Sequence, residues 1–231
     1  MIRSMPHAAR RRAISCLLTL GTWLGTWLVS GPVLAQGSKD FNAALVRLQQ
    51  GSAPVPAGRL VVSASRARLE ATELPDGYFI IDGVGLSAIF VKPSAGTYMD
   101  ARRSSRLTQW FVPVAADDPC PQWQAMARIA SEPDRGAWRC EQSGETTIDG
   151  RHVIGYRVMA GSAQQALAWV DPTLSFPVRI ELGDGTAFAV DAVRERPQAP
   201  DLTQIPSGFR KFDPQALIER IKQSDVWVEA Q

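Results

Sequence analysis

The side chains able to do chemistry are few. The 231-residue chain has two histidines, His7 and His152, and three cysteines, Cys16, Cys120 and Cys140. Only His152 lies beyond the first 35 residues, so a zinc site built on two imidazoles cannot form in one copy of that part. A Cys₂His site there would require both remaining cysteines to be reduced. A Ser-His-Asp triad would have to use His152. That residue sits two before Ile154 in an alternating run, the place of an ordinary strand-end histidine. Gly85-Leu-Ser-Ala-Ile89 lacks the final glycine of a nucleophile elbow, so Ser87 reads as a strand residue. Carboxylate pairs for glycoside hydrolysis can be chosen, such as Asp100 with Asp171, but nothing singles these out from 23 acids. Asp171 ahead of Pro172 reads as a turn residue. P-loop, G-x-G-x-x-G and H-E-x-x-H patterns are absent from the sequence. The residues point to no catalytic group, no metal and no cofactor, and an exported hydrolase is the least favoured function.

The positioning elements begin after a targeting segment. Residues 1–12 carry Arg3, Arg10, Arg11 and Arg12 without an acid, and residues 13–35 carry no charge. The apolar centre runs from Ile14 to about Val29, and Val33-x-Ala35 fits a small-residue cleavage site. A cleaved signal peptide over 1–35 is expected, leaving Gln36 as the new N-terminus. The alternative is a retained anchor, since 23 uncharged residues can span a bilayer. Gly21, Gly25, Gly31 and Pro32 weaken that reading. Contact with a membrane is then transient, through the signal peptide alone, and the expected location is periplasmic. Removing four Arg and no acid leaves 21 Lys+Arg against 23 Asp+Glu, so a net charge of +2 becomes −2. A near-neutral surface argues against nucleic-acid binding, which needs a clustered positive face. In an oxidising compartment the surviving pair, Cys120 and Cys140, reads as one disulfide.

One α+β domain is expected over 36–231. Phe41, Ala44, Leu45 and Leu48 give a helical stripe over 38–50, capped by Ser38 or Asp40 and ended by Gly51. Residues 51–58, rich in Gly and Pro, read as a connector. From Arg59 the period changes to two, in Leu60/Val62, Ala67/Leu69/Ala71, Tyr78–Ile81, Leu86–Val91 and Thr97–Met99. It returns in Ile154/Tyr156/Val158, Leu167/Trp169, Phe176/Val178/Ile180/Leu182 and Phe188/Val190/Ala192. Asp-Gly pairs at 76–77, 82–83, 149–150 and 184–185 mark the turns. The pattern predicts a curved antiparallel meander, an unclosed barrel-like sheet of about nine to ten strands. An N-terminal helix precedes it, a helical lid is inserted at about 103–135, and a C-terminal helix follows Asp213-Pro214 through about Lys222.

The order of these pieces carries a resemblance. Gly58-Arg-Leu-Val-Val62, Arg68-Leu-Glu-Ala71, Tyr78-Phe-Ile-Ile-Asp82 and Ile89-Phe-Val-Lys-Pro93 lead to Tyr98-Met99. Asp149-Gly150, Ala168-Trp-Val-Asp171, Phe176-Pro-Val-Arg-Ile-Glu181 and Ile205-Pro206-Ser-Gly208-Phe209 follow. The chain beyond residue 35 resembles the superfamily of outer-membrane lipoprotein-sorting and carrier proteins (LolA-like), and more closely its small periplasmic relatives of unassigned function. The resemblance implies an unclosed antiparallel barrel lidded by helices, with an apolar cavity for acyl chains. It also implies an early-strand arginine that secures the lid, for which Arg59, Arg66 and Arg68 are candidates. The Cys120–Cys140 pair departs from that pattern.

The expected ligand is an acyl chain or another apolar small molecule. The cavity candidates are Trp110, Phe111, Trp123, Met126 and Trp169, since such pockets are mostly apolar and aromatic. The alternative is a non-enzymatic envelope interaction or structural module with a filled core, whose partner would be an envelope protein.

Overall fold

The computed structural model describes residues 39–101, 105–129 and 136–223. The expected signal peptide with its cleavage site and the two ends of the expected lid lie outside the described residues. The strands are β1 (Phe41–Gln49), β2 (Ser52–Ser63), β3 (Arg66–Ala71), β4 (Tyr78–Asp82), β5 (Ser87–Lys92) and β6 (Thr97–Asp100). After an insertion come β7 (Trp138–Ile148), β8 (Arg151–Ala160), β9 (Ala163–Asp171), β10 (Phe176–Leu182), β11 (Ala187–Glu195) and β12 (Arg210–Lys211). They form one open, curved twelve-stranded sheet in the order β12-β6-β5-β4-β3-β2-β1-β11-β10-β9-β8-β7. Every neighbouring pair is antiparallel except β12 with β6. The chain thus starts mid-sheet, walks to one edge, crosses to the other edge and walks back until β11 meets β1. The helices are few and short: α1 (Leu107–Trp110), α2 (Cys120–Ile129) and α3 (Pro214–Gln223). The molecule is mostly β rather than evenly mixed.

The twelve strands exceed the expected nine to ten. The N-terminal helix over 38–50 is strand β1, paired on both sides, with β2 and with β11. Phe41, Ala44, Leu45 and Leu48 suit a helix, but Phe41, Ala43 and Leu45 equally suit a strand. Two waiting neighbours decide between the periods, and the last three are the buried ones. The connector over 51–58 is the first half of β2. Pro54 and Pro56 are tolerated because the β1–β2 register shifts there, between Leu45/Val46 and Arg47/Gln49. The other additions are β7, an edge strand with almost no apolar face, and the two-residue β12.

Of the four Asp-Gly pairs, one has positive φ at both residues. Asp149 (φ +49°) and Gly150 (φ +75°) form the two-residue loop that lets Ile148 pair with Arg151. Positive φ at both positions is what the twist of a tight hairpin demands. The Asp82 carboxylate closes the β4–β5 loop by accepting from the Val84 and Gly85 N–H groups at 3.0 and 2.8 Å, and from Arg66 Nε at 3.0 Å.

One face of the sheet carries the main core: Phe41 and Leu45, Leu60 and Val62, Leu69, Phe79 and Ile81, then Val158, Ala168, Phe176 and Ile180. The opposite face bears a smaller cluster of Tyr78, Ile80 and Val91 with Ile89, Tyr98 and Phe209. Phe209 belongs to residues 196–212, which run from β11 to the β6 edge. That segment is fastened at its start by Asp40, whose carboxylate accepts from the Gln198 and Ala64 N–H groups at 3.0 and 3.1 Å. Asp213 caps α3 through the Gln215 and Ala216 N–H groups at 2.9 and 3.1 Å, as the Asp-Pro pair predicts. None of the α3 side chains is buried.

Acid should unfold the protein through a defined group of carboxylates. Burial alone would raise the Asp82 carboxyl, but the Gly85 N–H, Arg66 and the Val84 N–H outweigh it and hold it below its ordinary value. The Thr186 backbone N–H, the Thr186 hydroxyl and Arg106 lower Asp184, and Arg151 and Lys39 lower Glu195. A carboxyl depressed in the folded state adds stability that is complete above its unfolded pKa and is lost as pH falls through the folded one. Urea midpoints are therefore expected to hold above about pH 5 and to fall steadily below about pH 4. A midpoint that rises on acidification would contradict these assignments.

Candidate binding site under the helical insertion

Because β6 and β7 lie toward opposite ends of the sheet, the chain between them must cross a face. Its sequence selects the core face, since Leu107, Trp110, Phe111, Val112, Val114, Trp123 and Met126 all join the main cluster. Trp123 is 0% exposed, and its indole N–H donates to the Trp110 carbonyl at 3.2 Å. Trp110 stands 5.6 Å from Trp123 and 6.1 Å from Trp138, ring centre to ring centre. Phe111 lies 6.4 Å from Phe176, which meets Phe41 edge-on at 5.3 Å. Two aromatic groups thus anchor the insertion, the tryptophans around Trp110 and a phenylalanine row from Phe111 into the middle of the sheet.

The insertion is tied down at a few points. The Arg106 guanidinium meets Asp184 of the β10–β11 turn at 2.6 Å. The Val114 N–H donates to Ser175 O at 3.0 Å. The Tyr156 hydroxyl, on β8, donates to Ala116 O at 2.5 Å. Burial, with Asp117 and Asp118 adding like charge, pushes the Tyr156 phenol above its ordinary value, so it stays a donor. Cys120, the first residue of α2, is bonded to Cys140 of β7 with Cα atoms 5.5 Å apart. The bridge closes a loop of sequence separation 20, for which chain entropy gives about 3 kcal/mol. Cys120→Ser with Cys140→Ser is therefore expected to lower Tm by roughly 6–12 °C for a chain of this size. Calorimetry should show the same loss when reductant is added to the wild type, and an unchanged Tm would mean the bridge is absent.

Where the insertion meets the sheet edge, a cleft of about 310 Å³ opens between α1, α2 and the ends of β9 and β10. Trp110 and Trp138 give it an aromatic side, and Gln109, Gln124, Gln164 and Arg128 a polar one. Gln109 is only 5% exposed.

The sequence candidates are distributed unevenly. Trp110, Phe111, Trp123 and Met126 come together. Trp169 does not join them, because Ala166, Ala168 and Val170 are the core-facing residues of β9. Its ring lies under the Arg179 guanidinium at 5.2 Å, on the other face. Arg59, Arg66 and Arg68 alternate with the core residues Leu60, Ala67 and Leu69, which sets them on the face away from the insertion. There Arg66 pairs with Asp82 at 3.0 Å. Arg68 pairs with Glu70 at 2.7 Å and stacks over Tyr78 at 3.6 Å. The arginine of the insertion that reaches the sheet's turns is Arg106, paired with Asp184 at 2.6 Å. His152 is exposed and meets Glu145 at 3.0 Å on the β7–β8 hairpin. Seven strands separate Asp100 from Asp171 in the sheet order, and each faces its own cation, Lys211 at 3.1 Å and Arg151 at 3.0 Å.

The glutamines of the cleft escape sequence reading because they come from separate elements. The one local signal is Gln109, which with Thr108 makes a polar pair between Leu107 and Trp110.

An open, almost wholly antiparallel sheet whose strands β6 and β7, toward opposite ends, are joined across the core face by an aromatic helical insertion is the class of fold in hand. No protein-family model matches the sequence, and no curated protein matches it. Among solved structures, the chain is similar to an uncharacterized conserved protein from Thermus thermophilus, with 10% identity and a TM-score of 0.42 over 76% of this chain and 90% of that one. It is similar to PNGF-II, with 8% identity and a TM-score of 0.47 over 80% of this chain. It is also similar to the MucA/MucB complex of Pseudomonas aeruginosa, with 16% identity and a TM-score of 0.36 over 74% of this chain. The chain spans 34% of the PNGF-II chain and 56% of the MucA/MucB chain. All three TM-scores fall below 0.5, short of placing the chain in a family.

Proposed function

We propose that the protein is an exported, non-catalytic binding protein of the periplasm that takes an acyl chain or another slender apolar ligand between the sheet and its helical insertion. Lipid or lipoprotein trafficking is the role such a protein would serve. The observation that carries this reading is the insertion itself. A connection that had only to join β6 to β7 lays Trp110, Phe111, Trp123 and Met126 along the apolar face of the sheet. Among the described residues α2 is covalently joined to β7 at its first residue, and a ligand would enter by lifting the Trp123 and Met126 face of α2 about that anchor while the strand ladder stays intact. Openings of this kind draw on the least stable parts of a structure. The Arg-rich start, the uncharged run and the Cys120–Cys140 pair support export. The separate engagement of Asp100, Asp171 and His152 supports binding over catalysis.

Complete burial of Trp123, Phe111 and Met126 favours a second reading, a filled module that docks an envelope protein. Titration with palmitate and with phospholipid micelles separates the two. The first reading expects a saturable change in tryptophan fluorescence and a Tm that climbs with ligand concentration. It also expects amide exchange to slow more across 107–129 than across 176–193. A complete lack of response to both lipids leaves the docking module.

A further inference from the structure

We propose that the cleft beside the insertion, between α1, α2 and the start of β9, is a saccharide-binding site with room for one or two sugar rings. This goes beyond the apolar site beneath the insertion and does not depend on it. The volume of about 310 Å³ lies at the small end of the ~300–1,000 Å³ typical of small-molecule sites. The lining chemistry narrows the class. Gln109, Gln124 and Gln164 come from α1, α2 and β9 and converge on the cleft. A carboxamide is donor and acceptor at once, and so is a sugar hydroxyl. Gln109 is the strongest of the three because it is nearly buried yet lines the cleft. The half-buried Trp138 lines the same cleft, backed by Trp110, which is 4% exposed and lies 6.1 Å away at an inclination of 40°. An indole offers a broad apolar face with a polar edge, and the C–H face of a pyranose is apolar in the same way.

The alternatives fit less well. An acyl chain needs an unbroken apolar wall, and here polar residues from three elements interrupt it. A phosphate needs concentrated positive charge, but Arg106 is already paired with Asp184 at 2.6 Å, which leaves Arg128 among the described lining residues. One guanidinium among the described residues suits a neutral sugar or one carrying a single carboxylate. Gly183 keeps the wall thin: a Cβ there would stand 2.8 Å from the Gln164 carbonyl and push apart the β9 and β10 ends that frame the cleft.

The test titrates the full exported chain with glucose, maltose, N-acetylglucosamine, its β-1,4-linked disaccharide and glucuronic acid, and with polymers of the same units. Isothermal calorimetry and tryptophan fluorescence serve as readouts. At least one of these probes is expected to bind saturably. Gln164→Ala and Gln124→Ala, both at solvent-accessible positions, are expected to weaken that binding tenfold or more at unchanged Tm. Gln109→Ala is expected to abolish it. Binding to free disaccharides identifies a soluble sugar as the ligand, and binding to the polymers alone identifies an envelope glycan. If no probe binds with a Kd below about 10 mM, or if binding persists unweakened in Gln164→Ala and Gln124→Ala, the site is not a saccharide site. Because palmitate binding is read separately, loss of either site leaves the other measurable.

Discussion

Trp123→Ala is expected to cost about 3–5 kcal/mol, the range for emptying a fully buried indole site. Trp123 is the largest of the fully buried side chains and the link between α2 and α1. Its removal opens a void against Trp110 and leaves the Trp110 carbonyl without its donor. For a chain of this size the loss corresponds to a drop of roughly 6–20 °C in Tm. Trp123→Phe should cost less, since it restores much of the volume but not the N–H. Urea unfolding of the two variants checks both numbers. A cost for Trp123→Ala below about 1 kcal/mol would mean that the insertion rests loosely on the sheet in solution, because only a site that collapses or is already open forgives such a deletion.

The second large effect lies at the β9–β10 turn. The Asp171 side chain is 3% exposed, pairs with Arg151 at 3.0 Å and accepts from the Thr173 and Leu174 N–H groups at 2.7 and 3.2 Å. Asp171→Ala removes all three partners at once and is expected to cost about 3 kcal/mol. Arg151 keeps the cost from rising further, because Glu195 also holds it at 3.0 Å. Asp171→Asn retains an acceptor for the turn and loses the ion pair, so about half the penalty should return. Equal losses for the two variants would show that the charge, not the turn, matters here.

Legibility along the chain follows the kind of information each element uses. The hairpin at 148–151 is visible because its turn residues must tolerate positive φ, a demand that Asp149-Gly150 meets locally. β1 is ambiguous because Phe41 and Leu45 satisfy both periods, and only its pairing with β2 and β11 settles which applies. β7 is hidden for the opposite reason: an edge strand from Trp138 to Ile148 needs no apolar stripe, and its run through Glu145-Thr-Thr is exposed. The aromatic residues of the insertion stand out by type and helical spacing, and four of the five cavity candidates do meet. Trp169 belongs to the other face by strand parity, which a reading focused on tryptophans overlooks. The role of Arg106 depends on Asp184, 78 residues away, and no local pattern announces such a pair. The glutamines of the cleft are equally remote from one another.

The central claim is that the sheet and its insertion hold an apolar ligand. Native mass spectrometry of the protein, isolated from an envelope extract without detergent exchange, tests it most directly. The account predicts a species heavier than the apoprotein by the mass of a lipid or acyl-bearing molecule, lost on organic extraction and regained on adding palmitate. A single apoprotein mass that no lipid increases would contradict it.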